Sequence, residues 1–107
     1  MVTLSPKIVT AEGGERAIPA ILPGASQKVA LGAASVQSTA ITGSLIRVVA
    51  QSDCHLAFGA NPTAVADGTC VFLPAGIPEY FVFVSGNKVA VIQDSSATGN
   101  LFITAAQ

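Results

Sequence analysis

Charge is the scarcest property of this 107-residue sequence, since only 10% of its residues are Asp, Glu, Lys or Arg and the formal net charge is −1. Soluble domains usually carry about 25% charged residues. The five cations also stand singly along the chain, whereas binding to nucleic acid requires clustered Lys and Arg. We therefore expect no nucleic-acid partner. A protein with so little charge is expected to associate with itself.

Long apolar runs are missing as well. No run approaches the roughly 18 residues that a membrane-spanning helix needs. The first residues lack the basic start and continuous apolar stretch of a signal peptide, because prolines and charged residues interrupt them. We therefore expect neither an export signal nor a membrane partner.

Residues that bind metals or act as nucleophiles are few: one histidine, His55, and two cysteines, Cys54 and Cys70. Adjacent side chains of a strand point to opposite faces, so Cys54 and His55 cannot easily share a metal ion. Three ligands would also leave a zinc site open. A histidine satisfied within the sheet or at an interface is the favoured interpretation. We expect both thiols to be reduced and buried, and a disulfide is the alternative if neighbouring strands bring them together.

The six carboxylates are isolated too, apart from two in the N-terminal segment. A glycosidase needs two carboxylates that face one another across a cleft, and no glycine-rich phosphate loop is present. We predict that the protein is not an enzyme and has no catalytic residues, no metal and no cofactor. The alternative is a small enzyme or ligand-binding barrel. That alternative requires a cavity lined by His55 together with Asp53, Glu79 or Asp94.

The sequence does contain short β-rich runs at the spacing of 8–12 residues that is typical of sandwiches and small barrels. The predicted strands are residues 28–31, 36–41, 45–51, 54–58, 70–73, 79–84, 88–93 and 101–104. No window combines helical periodicity with caps at both ends. We predict an all-β fold, either an antiparallel β-sandwich or a jelly-roll-like barrel of about eight short strands.

Residues 1–27 differ from the rest, because three prolines and a Gly-Gly pair exclude a long helix or a central strand. The segment nevertheless carries too many apolar residues for a disordered tail. These residues are Ile8, Val9, Ile18, Ile21 and Leu22. We expect an extended N-terminal arm, 1–27, ahead of a single β-sandwich domain, 28–107. The arm either wraps a neighbouring subunit or forms a first strand and loops on its own domain.

Residues 71–93 contain three apolar runs that are separated by turn signals. The turn residues Ser85-Gly86-Asn87 predict a tight hairpin between residues 80–84 and 88–93. Both faces of these strands are apolar, whereas an antiparallel sheet usually keeps one polar face. Either loops and the N-terminal segment cover the second face, or other subunits bury it. We expect burial between subunits, with Tyr80 and Phe83 joining the five apolar arm residues as candidate interface residues.

Five segments carry a resemblance to known proteins. They are RVVA at 47–50, CHLAFG at 54–59, NPTA at 61–64, LPAG at 73–76 and GNKVAVI at 86–92. With the residues between them they resemble small β-rich structural virion proteins of tailed bacteriophages. The resemblance covers somewhat more than half of the chain and leaves out the first 27 residues. It implies a structural virion protein without enzymatic activity, made in the bacterial host cytoplasm.

The resemblance and the composition together lead to one expectation. The protein is expected to be a capsid decoration, or cement, protein on the capsid surface of the virion. It would assemble as a homotrimer and bridge neighbouring subunits of the phage major capsid protein. The alternative is another structural part of the phage: a head fibre, a tail or connector component, or a glycan-binding fibre tip.

Overall fold

The structure is a computed structural model that describes residues 7–9, 15–17 and 21–106. These residues form ten β-strands and no helix. The strands are β1 (Lys7–Val9), β2 (Glu15–Ala17), β3 (Pro23–Ala30), β4 (Val36–Gln37), β5 (Leu45–Ala50), β6 (Cys54–Gly59), β7 (Val71–Leu73), β8 (Glu79–Val82), β9 (Lys88–Gln93) and β10 (Asn100–Ala106). Each of the eight predicted strands has a counterpart among β3–β10, and the all-β prediction is confirmed.

Strands β3–β10 form two four-stranded antiparallel sheets. Sheet 1 has the order β3-β10-β5-β8, and sheet 2 has the order β4-β9-β6-β7. Every connection between consecutive strands passes from one sheet to the other, except the one between β6 and β7. This is the strand order of a jelly roll, in which two Greek keys interleave. The prediction of an antiparallel sandwich of this kind is confirmed.

The core lies between the two sheets and follows from the alternation of side chains along each strand. In β5, Ile46, Val48 and Ala50 are buried, whereas Arg47 and Val49 are half-buried on the outer face. The other strands place aliphatic residues inward in the same way. The largest fully buried side chains are Ile46, Leu56, Leu73, Leu101, Ile103, Val48, Val89, Val91 and Cys54.

The hairpin predicted between β8 and β9 is wrong, because the two strands belong to different sheets. β8 pairs with β5, and β9 pairs with β4 and β6. The turn itself is present: the Asn87 N–H donates to the Val84 carbonyl at 3.0 Å, and Gly86 has a φ of +94°. A type II turn requires a positive φ at this third position. The Phe83 N–H donates to the Ser44 carbonyl at 2.8 Å and extends the β5–β8 pairing of sheet 1 by one residue. The Gly86 N–H donates to the Ile41 carbonyl at 2.7 Å, in register with the β4–β9 pairing of sheet 2. The change of sheet therefore falls between residues 83 and 86.

The outer face of sheet 2 is covered by the loop of residues 60–70. The Gln37 Nε2 donates to the Asn61 Oδ1 at 2.7 Å and to the Pro62 carbonyl at 2.8 Å. Gln37 lies opposite Ala90, whose side chain is fully buried although it points away from the core. Loop burial, one of the two alternatives considered for a second apolar face, therefore applies to sheet 2.

The N-terminal strands β1 and β2 form a separate antiparallel pair, with Ile8 opposite Arg16. Within the described residues, neither strand is hydrogen-bonded into sheet 1 or sheet 2. β3 begins at Pro23, so the sandwich starts five residues ahead of the expected boundary between 27 and 28. A proline is tolerated there because it is the first residue of an edge strand.

Candidate functional site

The outer face of sheet 1 is apolar and exposed. Tyr80 and Val82 on β8 are 47% and 80% exposed, and Phe102 on β10 is 39% exposed. Between them lies Val49 of β5, which is directly opposite Phe102. We call the surface formed by Tyr80, Val82, Val49 and Phe102 the apolar face. Unlike the outer face of sheet 2, it is not covered by a loop of residues 21–106, and contiguous apolar patches of this kind mark interaction sites.

The charge on the apolar face is entirely positive. Arg47 lies between Tyr80 and Thr104, and Lys28 lies opposite Phe102. None of the sheet 1 residues on this face is Asp or Glu, because Glu79 precedes Tyr80 and points the other way. A partner that combines apolar side chains with a carboxylate would therefore complement this face.

β8 also leaves a backbone edge open. It is hydrogen-bonded to β5 on one side, and no strand of the described residues pairs with its other side. The opposite edge of sheet 1 is protected, since β3 begins with Pro23, exposes Lys28 and faces an irregularity between Thr104 and Ala106 of β10. Such features prevent edge-to-edge association. β8 is short, but its only charged residue is Glu79.

The candidate interface residues have different positions in the structure. Tyr80 lies in the apolar face, and Leu22, just before β3, is 67% exposed. Ile21 is half-buried. Phe83 is only 5% exposed and packs edge-on against Phe58, with ring centroids 6.3 Å apart. Phe83 therefore belongs to the core and offers no surface to a partner.

The remaining candidates are Ile8 and Val9, which lie in β1, and Ile18, which lies outside the described residues. Sequence reasoning left out Val49, Val82 and Phe102, the other three members of the apolar face. The signal for Val82 was present, because alternation along residues 79–84 places it on the same side as Tyr80. Phe102 was harder to find, because it is the one large apolar residue on the outward side of β10, which also carries Asn100 and Thr104.

His55 is held within the protein. Its Nε2 lies 2.9 Å from the Asp94 Oδ1, and its ring packs edge-on against Phe72 with centroids 5.4 Å apart. Because a carboxylate only accepts, the ring donates from Nε2. The His55 side chain is 8% exposed, and its Nδ1 is buried with no partner among the described residues. The expected histidine satisfied within the sheet is therefore found at Nε2 only.

The two cysteines are free thiols, and they lie in different environments. Cys54 is buried in the core, on the opposite face of β6 from His55. Burial raises the pKa of the Cys54 thiol to about 11, and the nearby Asp53 carboxylate adds to the shift. Cys70 is half-exposed, so the expectation that both thiols are buried is wrong for this residue. Its Sγ accepts the Val65 N–H at 3.4 Å.

A shallow, open cavity of about 530 Å³ lies at the end of the sandwich formed by the β5–β6 and β9–β10 connections. It is lined largely by polar residues, but His55 is not among them. The lining residues are Gln51, Ser52, Asp53, Ala75, Asp94, Ser95, Ser96 and Ala97. The cavity thus contains two of the carboxylates named for the enzyme alternative without the histidine that general acid–base chemistry would use.

In the described part of the chain, no group of three or more His, Cys, Asp or Glu residues is placed to hold a metal ion. No helix in that part is long and apolar enough to cross a membrane. Comparison with protein-family models, with curated proteins and with solved structures finds no match.

Proposed function

We propose that this protein is a structural component of a bacteriophage virion: a capsid decoration protein that assembles as a homotrimer and bridges neighbouring major capsid protein subunits. Its action would consist of burying additional surface at the junctions between capsid subunits, without covalent chemistry. The protein would be made in the host cytoplasm and reside on the outside of the head.

The observation that carries this proposal is the apolar face of sheet 1. A single chain leaves Val82 80% exposed and Tyr80 47% exposed on a surface with very few charges. Such a surface is poorly suited to a monomer in water, because covering apolar side chains is favourable. The resemblance of residues 45–105 to structural virion proteins supports the same function. The jelly-roll fold supports the proposal by analogy only, because jelly rolls occur in viral capsid proteins but also in lectins and cupins.

The energies indicate that the apolar face needs additional contacts. Covering Tyr80, Val82 and Phe102 is worth about 1.5–3 kcal/mol for each side chain if burial is complete, and all three are already partly covered. The gross gain is then about 2.5–5 kcal/mol, which is at or below the low end of the roughly 4–15 kcal/mol that association costs. A stable assembly therefore requires more contacts, either along the β8 edge or through several weak sites that bind a lattice together.

The test is cryo-electron microscopy of virions that contain the protein. We expect density for trimers over the junctions of the capsid lattice, with the apolar face turned toward a protein neighbour. Density at the tail or connector would contradict the capsid role and leave a structural virion protein. Absence of the protein from purified particles would overturn both.

The cavity at the end of the sandwich favours a second candidate function, a glycan-binding fibre tip. Its lining of hydroxyl, amide and carboxylate groups is suited to hydrogen bonds with sugar hydroxyls. No aromatic ring lines the cavity to stack on a sugar. A glycan array probed with the wild-type protein and with the Asp94→Ala variant separates the two candidates. Binding that disappears in the variant would support the fibre tip.

A further inference from the structure

The structure leaves two incomplete β elements in one chain. β8 has an open edge, beside which Val82 and the following Val84 are 80% and 68% exposed. β1 and β2 form a pair of only three residues each, joined to neither sheet. An isolated pair of strands is marginally stable in water, and further strands are needed to stabilise it. We infer that the open edge of β8 accepts a strand from the N-terminal segment of a second copy of this chain.

The positions of the two elements in sheet 1 support a contact between copies. The N-terminal segment enters the sandwich at Pro23, the first residue of β3, and β3 and β8 are the opposite edges of the same sheet. A copy placed with its β3 edge toward the β8 edge of its neighbour brings the donor segment to the acceptor. This contact is head to tail, and head-to-tail contacts close into rings when the rotation between copies allows it.

The composition of the donor matches the acceptor. Residues 1–22 carry large apolar residues together with Lys7, Glu12, Glu15 and Arg16, so that positive and negative side chains are equal in number. A strand that lies beside β8 would place alternate side chains next to Tyr80 and Val82, and cross-strand pairs of apolar residues stabilise a sheet.

The length of the N-terminal segment does not by itself determine whether it joins β8 of a neighbouring copy or β8 of its own chain. Three strand spacings separate β3 from β8, which is roughly 14 Å, and an extended segment of 22 residues spans up to roughly 70 Å. The segment is therefore long enough to reach its own β8. Among the described residues, however, β1 and β2 pair with each other, and no strand pairs with the free edge of β8. This inference rests on the self-association in the proposed function and names the surfaces that would produce it.

Cysteine cross-linking of the full-length protein tests the inference. In a Cys70→Ser background, one preparation carries Val82→Cys and the other carries Ile8→Cys or Val9→Cys. After mixing and mild oxidation, we expect a disulfide between the two preparations. A disulfide between two Val82→Cys chains would indicate edge-to-edge pairing of β8 and overturn the inference. A disulfide formed within a single chain that carries both substitutions, without intermolecular product, would overturn it as well.

Sedimentation provides the second measurement. Val82→Lys should weaken self-association at least tenfold, because it places a charge in the contact. Val71→Lys, on β7 at the edge of sheet 2 where the native side chain is 39% exposed, is the matched control and should change it less than twofold. Equal effects of the two variants, or a wild-type protein that is monomeric at micromolar concentration, would overturn the inference. No capsid is present in these assays, so their outcome is independent of the microscopy that tests the capsid role.

Discussion

Replacing Gly99 with alanine should destabilise the protein strongly. Gly99 has a φ of +130°, a conformation that L-residues rarely adopt. A Cβ at this position would lie 3.0 Å from the Gln51 Cβ and 3.2 Å from the Gln51 Oε1. That Oε1 accepts the Asn100 N–H at 2.9 Å, and the Gly99 carbonyl accepts the Leu31 N–H at 2.9 Å. The substitution therefore strains the backbone and displaces the Gln51 side chain, which joins the β5–β6 connection to the start of β10.

The expected loss can be estimated from these contacts. A non-glycine residue in a sparsely populated backbone region costs about 1–3 kcal/mol, and the loss of one hydrogen bond of Gln51 costs about 1 kcal/mol. The free energy of unfolding should fall by about 2–4 kcal/mol, which is a large part of the roughly 5–15 kcal/mol of a typical domain. For a chain of this size, the Tm should decrease by roughly 10–25 °C.

Urea unfolding followed by circular dichroism measures the loss, at one protein concentration for all variants because self-association shifts apparent stability. Gly32→Ala is the matched control. Gly32 has no positive φ in the strained range, and nothing lies within 4 Å of a Cβ built there. We expect this variant to unfold within about 1 kcal/mol of the wild type. If the free energy of unfolding of Gly99→Ala is also within about 1 kcal/mol of the wild-type value, neither the positive φ of Gly99 nor its close contact with Gln51 restricts this position as we infer.

Two further predictions concern the core. Ser38 is buried, and its Oγ accepts the Val89 N–H at 2.9 Å. Ser38→Ala should lower the free energy of unfolding by about 1–3 kcal/mol, because a buried N–H loses its partner. Ser38→Thr retains a hydroxyl and should lose less in the same denaturant titration, and equal losses in the two variants would contradict the hydrogen-bond explanation. The Cys54 thiol should resist iodoacetamide at pH 8 under conditions that alkylate the half-exposed Cys70, as mass spectrometry of the peptides would show. Burial raises the pKa of Cys54 to about 11 in the folded protein from an ordinary value near 9. The protonated Cys54 thiol therefore makes its full contribution to stability below pH 9, and this contribution is lost as the pH rises toward 11. If a Cys54→Ala variant loses stability at alkaline pH in the same way as the wild type, the loss does not come from Cys54.

Most strands could be predicted from the sequence because they are short runs rich in β-branched and aromatic residues bounded by turn residues. β3, with the sequence PGASQKVA, is the exception, and its first five residues were not predicted. The inward side of β5 was also predictable, since Ile46, Val48 and Ala50 follow the two-residue period of a strand. The pairing of strands was not. Gly86 and Asn87 predict a turn, but the local sequence does not determine whether the next strand stays in the same sheet. In this fold the residues before the turn pair within sheet 1, through Phe83 and Ser44, whereas those after it pair within sheet 2, through Gly86 and Ile41, more than 35 residues earlier in the chain in both cases.

The candidate site was predictable only in part. An excess of apolar surface could be inferred from composition, and Tyr80, predicted as a candidate interface residue, is exposed. Which sheet remains uncovered depends on the loop of residues 60–70, and the contacts that place it over sheet 2 come from Gln37, more than twenty residues earlier. Phe83 follows Val82 directly, and adjacent side chains of an extended chain point to opposite faces, so Phe83 faces the core.

The pairing of Pro23 with Ala106 has a practical consequence for labelling and display. A tag or cargo fused after Ala106 would emerge beside Pro23, the first residue of β3, and crowd the chain that enters this strand. The connection of residues 94–99 lies at the far end of β10, where Asn100 pairs with Ala30. An insertion between Ser95 and Ala97 would lie far from Pro23, which makes this connection the better position for a fluorophore or a displayed peptide.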